Sequence, residues 1–122
     1  MSIFTAVVVS LSQATLCFAG ACHPALVGVD TPTGQYRITH VATNEPGYSG
    51  DVLMFKENKH YVWAIHRLWL LDPKQQRAKR IDSNNPHERV ITMGCINLKD
   101  ATYASLVTWL EKHPGTPLEI KK

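Results

Sequence analysis

Apolar and β-branched residues fall in short runs through the first half of the chain: Phe4 to Leu11, Ala14 to Phe18, Pro24 to Val29, Gly34 to Val41, Asp51 to Phe55 and His60 to His66. Each run is rich in Val, Ile, Thr, Tyr, Phe or Trp and bounded by Gly, Pro, Asn or Asp, the pattern of strands separated by turns. Thr31-Pro32-Thr33-Gly34 joins a proline that fixes φ to a glycine that permits a positive one, so a tight turn is expected there. Asn44 to Gly50 reads as a loop. The period changes after Asn97: Tyr103, Leu106, Val107 and Leu110 mark one face of a helix, with Asp100 as the expected N-cap and Pro114 beyond the end. Thr116 to Ile120 predicts a final edge strand. Between these regimes Leu68 to Val90 has no period, two prolines and the cations Lys74, Arg77, Lys79, Arg80 and Arg89, so it reads as a long basic connection holding at most a short helix. The expected architecture is a mainly β domain, sandwich- or barrel-like, with one C-terminal amphipathic helix.

With 122 residues the chain forms a single domain over 1–122, and no separate regulatory domain fits. The content of 44% hydrophobic and 19% charged residues excludes general disorder and fibrous repeats. A net charge of +3 falls short of the concentrated basic face of a nucleic-acid binder, so no nucleic-acid partner is expected. The apolar run Ile3 to Val9 is too short for a membrane span, and no stable membrane insertion is expected. It also differs from a secretory signal, because no Lys or Arg precedes it, Ser10, Ser12 and Gln13 interrupt it, and cleavage near Ala19-Gly20-Ala21 would delete the first hairpin. Residues 1 to 20 are therefore read as part of the folded domain.

Three cysteines leave one thiol free if the other two pair. Ala19-Gly20 as a hairpin tip would set Cys17 across from Cys22, and a disulfide there would imply an oxidising compartment. The same stretch, Cys17-x4-Cys22-His23, is also a widened form of the haem-attachment motif, with the wrong spacing and no distal Met. Cys95 lies in Val90-Ile-Thr-Met-Gly-Cys-Ile-Asn97, where Gly94 allows the unusual dihedrals of a nucleophile turn. A thiol reacts as thiolate and needs a base or a positive field. His66 ends its strand on the face of Val62 and Ala64, a suitable position for that base; His87 is nearer in sequence.

Three segments in order, Thr31-Pro-Thr-Gly-Gln-Tyr-Arg-Ile38, Ala64-Ile-His-Arg67 and Thr92-Met-Gly-Cys-Ile-Asn97, resemble the catalytic domain of L,D-transpeptidases, the YkuD domain. The resemblance runs from the hairpin beginning near Val7 to the helix ending near Lys112. It implies Cys95 as nucleophile, His66 as base, and the N–H groups of Gly94 and Cys95 as oxyanion donors. It further implies that Thr92 and Asn97 shape the turn or contact the donor peptide. Two departures stand out: 29 positions separate His66 from Cys95, more than is usual, and Met93 replaces the His often found before Gly-Cys. A subgroup of the family carries His-Arg and an Arg-rich insertion before Gly-Cys-Ile-Asn.

The implied activity is attack on peptidoglycan stem tetrapeptides, with release of D-alanine and resolution of the acyl-enzyme by an amine, or by water as an L,D-carboxypeptidase. No metal or organic cofactor is implied. Arg67, Arg80 and Arg89 would contact substrate carboxylates through their bidentate forks, or else form surface pairs with Asp72, Asp82 or Glu88. The expected location is the periplasm or cell envelope, and the expected state is a monomer. Alternatives are a toxin acting on peptidoglycan in a neighbouring cell's envelope and a non-catalytic wall-binding module on the same scaffold.

Overall fold

The computed structural model describes residues 6–122, so Phe4 and Thr5 of the first expected strand lie outside the described residues. Among the described residues nine strands form two sheets. The first joins β1 (Val7–Ser10), β2 (Thr15–Phe18), β3 (Ala21–Pro24), β4 (Gly34–Tyr36) and β9 (Leu118–Lys121) in the order β3-β2-β1-β9-β4. The second joins β5 (Thr39–Val41), β6 (Val52–Glu57), β7 (Val62–Arg67) and β8 (Ile96–Leu98) in the order β5-β6-β7-β8. The alternation seen in the sequence holds in β1 and β2, where Val7, Val9 and Leu16 are fully buried and their neighbours are not. Residues 7–18 are thus core strands of the domain, as expected for a folded first hairpin.

Ala19 and Gly20 both have positive φ, 51° and 80°, the twist that two-residue hairpins favour. Cys17 is paired with Cys22 across the ladder, and the two form a disulfide. Side chains from both sheets and from helix α2 (Asp100–Lys112) meet in one core that includes Val9, Leu16, Leu53, Ile65, Ile96, Leu118 and, from the helix, Tyr103 and Leu106. The mainly β class with one long helix agrees with the hydrophobic pattern.

Five features differ from expectation. The third strand begins at Ala21, directly after the hairpin tip, while Leu26 and Val27 form only isolated bridges, to Asn97 and Val90. The expected turn at Thr31–Gly34 lies earlier: Thr31 N–H closes onto Gly28 O at 3.2 Å, and Thr31 to Thr33 run on to β4. Gly34 to Val41 is two strands, because the chain leaves the first sheet after Tyr36 and enters the second at Thr39. The last strand is not an edge: β9 runs between β1, parallel to it, and β4, antiparallel. At the helix, Lys99 is the N-cap and Asp100 the first helical residue, where its carboxylate still faces the positive end of the helix dipole.

The basic connection holds one four-residue helix, α1 (Arg77–Arg80), flanked by 3₁₀ turns at Pro73–Gln75 and Pro86–Arg89. Asp72 and Asn85 cap those turns by accepting the backbone N–H groups of Lys74 and His87. No described helix is long and apolar enough to cross a membrane.

Candidate active site

Strands β7 and β8 are parallel and adjacent, with Ile65 opposite Ile96 and His66 opposite Asn97. Extending that register by one residue sets Cys95 across from Ala64, so Cys95, Asn97, Ala64 and His66 project to one face. Cys95 and His66 are diagonal neighbours there and line one cleft with Tyr48, Trp69, Arg77 and Thr92.

The turn that carries Cys95 is held by hydroxyls at three successive carbonyls. Tyr61 donates to Met93 O at 2.6 Å, Thr31 to Gly94 O at 3.0 Å, and Thr92 to Cys95 O at 2.6 Å. Thr31 also accepts Gly28 N–H at 2.9 Å, and Val27 O accepts Ile91 N–H and Thr92 N–H at 2.8 and 3.0 Å. Segment 26–31 therefore runs alongside the nucleophile segment and braces it. Two glycines permit this approach. A Cβ on Gly28 would lie 2.4 Å from Thr92 O. Gly94 has φ of +131°, and a Cβ there would lie 2.9 Å from Trp63 Nε1.

Peptide planarity turns this bracing into chemistry. The carbonyl of Gly94 and the N–H of Cys95 share one plane and point in opposite directions, so the Thr31 bond fixes where the Cys95 N–H points. Among the described residues that N–H has no protein acceptor. The Gly94 N–H, expected to be the second oxyanion donor, is instead spent on Thr92 Oγ1 at 3.2 Å. Thr92 thus shapes the turn while it borders the cleft.

His66 is 2% exposed, and its Nδ1–H donates to Arg67 O at 2.7 Å, which leaves Nε2 as the basic nitrogen. Burial holds its pKa at about 4; the Arg67 carbonyl works against that shift and the Arg77 charge adds to it. Burial pushes the Cys95 thiol up, opposed by the Ala64 N–H and by Arg77. Near neutral pH the site therefore rests as a thiol and a neutral imidazole. The Tyr48 ring packs on His66 with centroids 4.5 Å apart.

The basic connection reaches the cleft through Asn97, which is fully buried. Its Oδ1 accepts Trp69 N–H and an Arg77 Nη1–H, both at 3.0 Å. Asn97 is the post to which this segment is pinned, and Arg77, buried and stacked over Trp69 at 4.9 Å, is the guanidinium that borders Cys95.

Arg67, Arg80 and Arg89 are engaged elsewhere. Arg67 pairs with Asp51 at 2.9 Å and lies over the Tyr103 ring at 4.4 Å, tying β7 to the helix. Arg80 donates to Gln75 O and Glu88 O. Arg89, 6% exposed, donates to Ala14 O, Gln13 O and Ser83 O, clamping the end of the connection onto the first hairpin. None of the three lines the cleft, and the side chains of Asp72, Asp82 and Glu88 pair with none of them; Asp82 pairs with Lys99. Tyr48, Trp69 and the Thr31 brace carried no separate signal in the sequence. Arg77 was visible only as one cation in a run. Cys17 and Cys22, joined to each other, have no thiolates for a haem or metal, and His23 packs against Phe18.

No family model and no curated protein matches the sequence. The fold does match solved structures. An L,D-transpeptidase (Yku) from Stackebrandtia nassauensis superposes with a TM-score of 0.59 at 15% identity, covering 98% of this chain and 56% of that one. L,D-transpeptidase 1 of Mycobacterium tuberculosis gives 0.53 at 18%, covering 98% and 62%. The L,D-transpeptidase of Xylanimonas cellulosilytica gives 0.54 at 15%, covering 98% and 61%. The chain has the YkuD-type fold of these structures and spans about three fifths of their length.

Proposed function

We propose that the protein is a cysteine-dependent L,D-transpeptidase acting on peptidoglycan stem tetrapeptides. One observation carries the reading: a free cysteine on a braced glycine turn shares a cleft with a buried histidine whose basic nitrogen is uncommitted. The shared fold adds support. Cys95 Sγ attacks the carbonyl joining the L-centre of diaminopimelate to D-alanine, and its proton moves to His66 Nε2 as the C–S bond forms. The oxyanion faces the Cys95 N–H. The imidazolium returns the proton to the departing amine as the C–N bond breaks, leaving a thioester and free D-alanine. A side-chain amine of a second stem then attacks the thioester, its proton passes through His66 to the leaving sulfur, and a cross-link results; water in the same step makes the enzyme an L,D-carboxypeptidase.

Both resting groups are neutral, so this route separates charge only as the substrate reacts. The substrate places the protein in the cell envelope, in keeping with an oxidised Cys17–Cys22 pair beside a free Cys95. Incubation with a disaccharide tetrapeptide, with products separated by chromatography, tests the reading. The wild type releases D-alanine, Cys95→Ala and His66→Ala do not, and dimer or tripeptide identifies the acceptor. Absence of release from the wild type removes this substrate.

A further inference from the structure

We propose that Arg77 makes the cleft selective for acyl donors that carry a free carboxylate close to the scissile carbonyl, a proposal that rests on Cys95 being the nucleophile. Arg77 is the one Lys or Arg side chain among the described residues lining this cleft, and it is only 8% exposed. Its position is set by neutral groups: Nε donates to Gln75 Oε1 at 2.7 Å, Nη1 to Asn97 Oδ1 at 3.0 Å, and the plane lies over Trp69.

No described carboxylate pairs with it. Asp72, the acid whose charge reaches it, accepts Lys74 N–H, whereas Arg67 next to His66 has Asp51 as counter-ion. A desolvated cation without a counter-ion is costly, and the cost is offset when a bound anion supplies one. Among the described residues Nη2 has no acceptor and is not sealed from solvent, so a fixed donor is left open beside the nucleophile, a geometry suited to a planar carboxylate. Arg89, whose Nε, Nη1 and Nη2 all donate to backbone carbonyls, has no such capacity, and Arg80, held through Nε and Nη1 by Gln75 O and Glu88 O, lies outside the cleft.

A stem tetrapeptide offers two carboxylates near the reacting bond, one on the departing D-alanine and one at the far centre of diaminopimelate. Three donors separate them: the parent tetrapeptide, its D-alanine carboxamide, and the form amidated on the diaminopimelate side chain. The expected result with the wild type is a kcat/KM on the order of 10- to 100-fold lower for one amide, the scale of a lost charge-assisted bond, and the amide that suffers identifies the carboxylate. Arg77→Gln should bring the ratio between that amide and the parent close to unity, and Arg77→Lys should restore part of it. If the wild type turns over all three donors equally, the proposal is overturned while the transpeptidase reading stands. If no donor reacts, both fall. Because the comparison among donors uses the wild type, a poorly folded variant does not decide the matter.

Discussion

Replacing Thr31 by valine preserves the shape of the side chain and deletes a hydroxyl that makes two buried bonds, to Gly28 N–H at 2.9 Å and to Gly94 O at 3.0 Å. Each unpaired buried backbone group costs about 1–3 kcal/mol, so the variant should lose about 2–6 kcal/mol of stability. With an unfolding entropy near 2.1 cal/mol/K per residue, that corresponds to a fall in Tm of roughly 8–23 °C for a chain of this length. The functional loss should exceed what stability explains, because the Gly94–Cys95 peptide plane is then free to turn and the Cys95 N–H leaves its aim. The expected fall in kcat is on the order of tenfold or more, at a temperature where the variant is fully folded. Thermal melts followed by circular dichroism and D-alanine release at that temperature measure the two effects. Thr31→Ser should recover most of both. A valine variant with wild-type Tm and rate, or a serine variant as impaired as the valine one, would refute the brace.

Protonation of buried His66 gives a second expectation. Its folded pKa of about 4 lies below the ordinary 6.5, so the unfolded chain binds more protons between these values and stability falls as pH drops through that window, by about 3 kcal/mol in total. Denaturant melts of the wild type and His66→Gln should differ in slope there; parallel curves would exclude a buried neutral imidazole. The Cys95 thiol, pushed up by burial, should alkylate slowly with iodoacetamide at neutral pH and faster only above the ordinary thiol range, whereas a reactive plateau between about pH 5 and 7 would mean a resting ion pair. Arg89→Met leaves the carbonyls of Ala14, Gln13 and Ser83 without their donor and should lower Tm without changing the preference among donor peptides. A changed preference at constant Tm would place Arg89 at the substrate after all.

What the sequence conveyed, and what it concealed, follows from how far each signal reaches. Alternation marked Val7 and Val9 against Leu16 and Phe18, and two small residues at the tip marked the hairpin between them, because those are local properties. Gly34 to Val41 kept its strand character while changing sheets, and a change of partner leaves no trace in a period of two. Leu118–Lys121 looked like an edge because its neighbours, β1 and β4, are distant in the chain. At the site, Gly-Cys and a strand-end His stood out by type and order. The arginines did not sort themselves, since Arg77, Arg80 and Arg89 are chemically identical in one run. The left-handed turn at Gln76, the buried Asn97 and the carbonyls of Ala14 and Gln13 decide which one meets the cleft.

The central claim is that Cys95 forms the acyl-enzyme, and intact mass spectrometry after brief exposure to a disaccharide tetrapeptide tests it most directly. The expected spectrum shows the protein plus the donor minus D-alanine, with the added mass on the peptide that contains Cys95 and absent from Cys95→Ala. An adduct that persists in Cys95→Ala, or D-alanine release by that variant at the wild-type rate, would contradict the account.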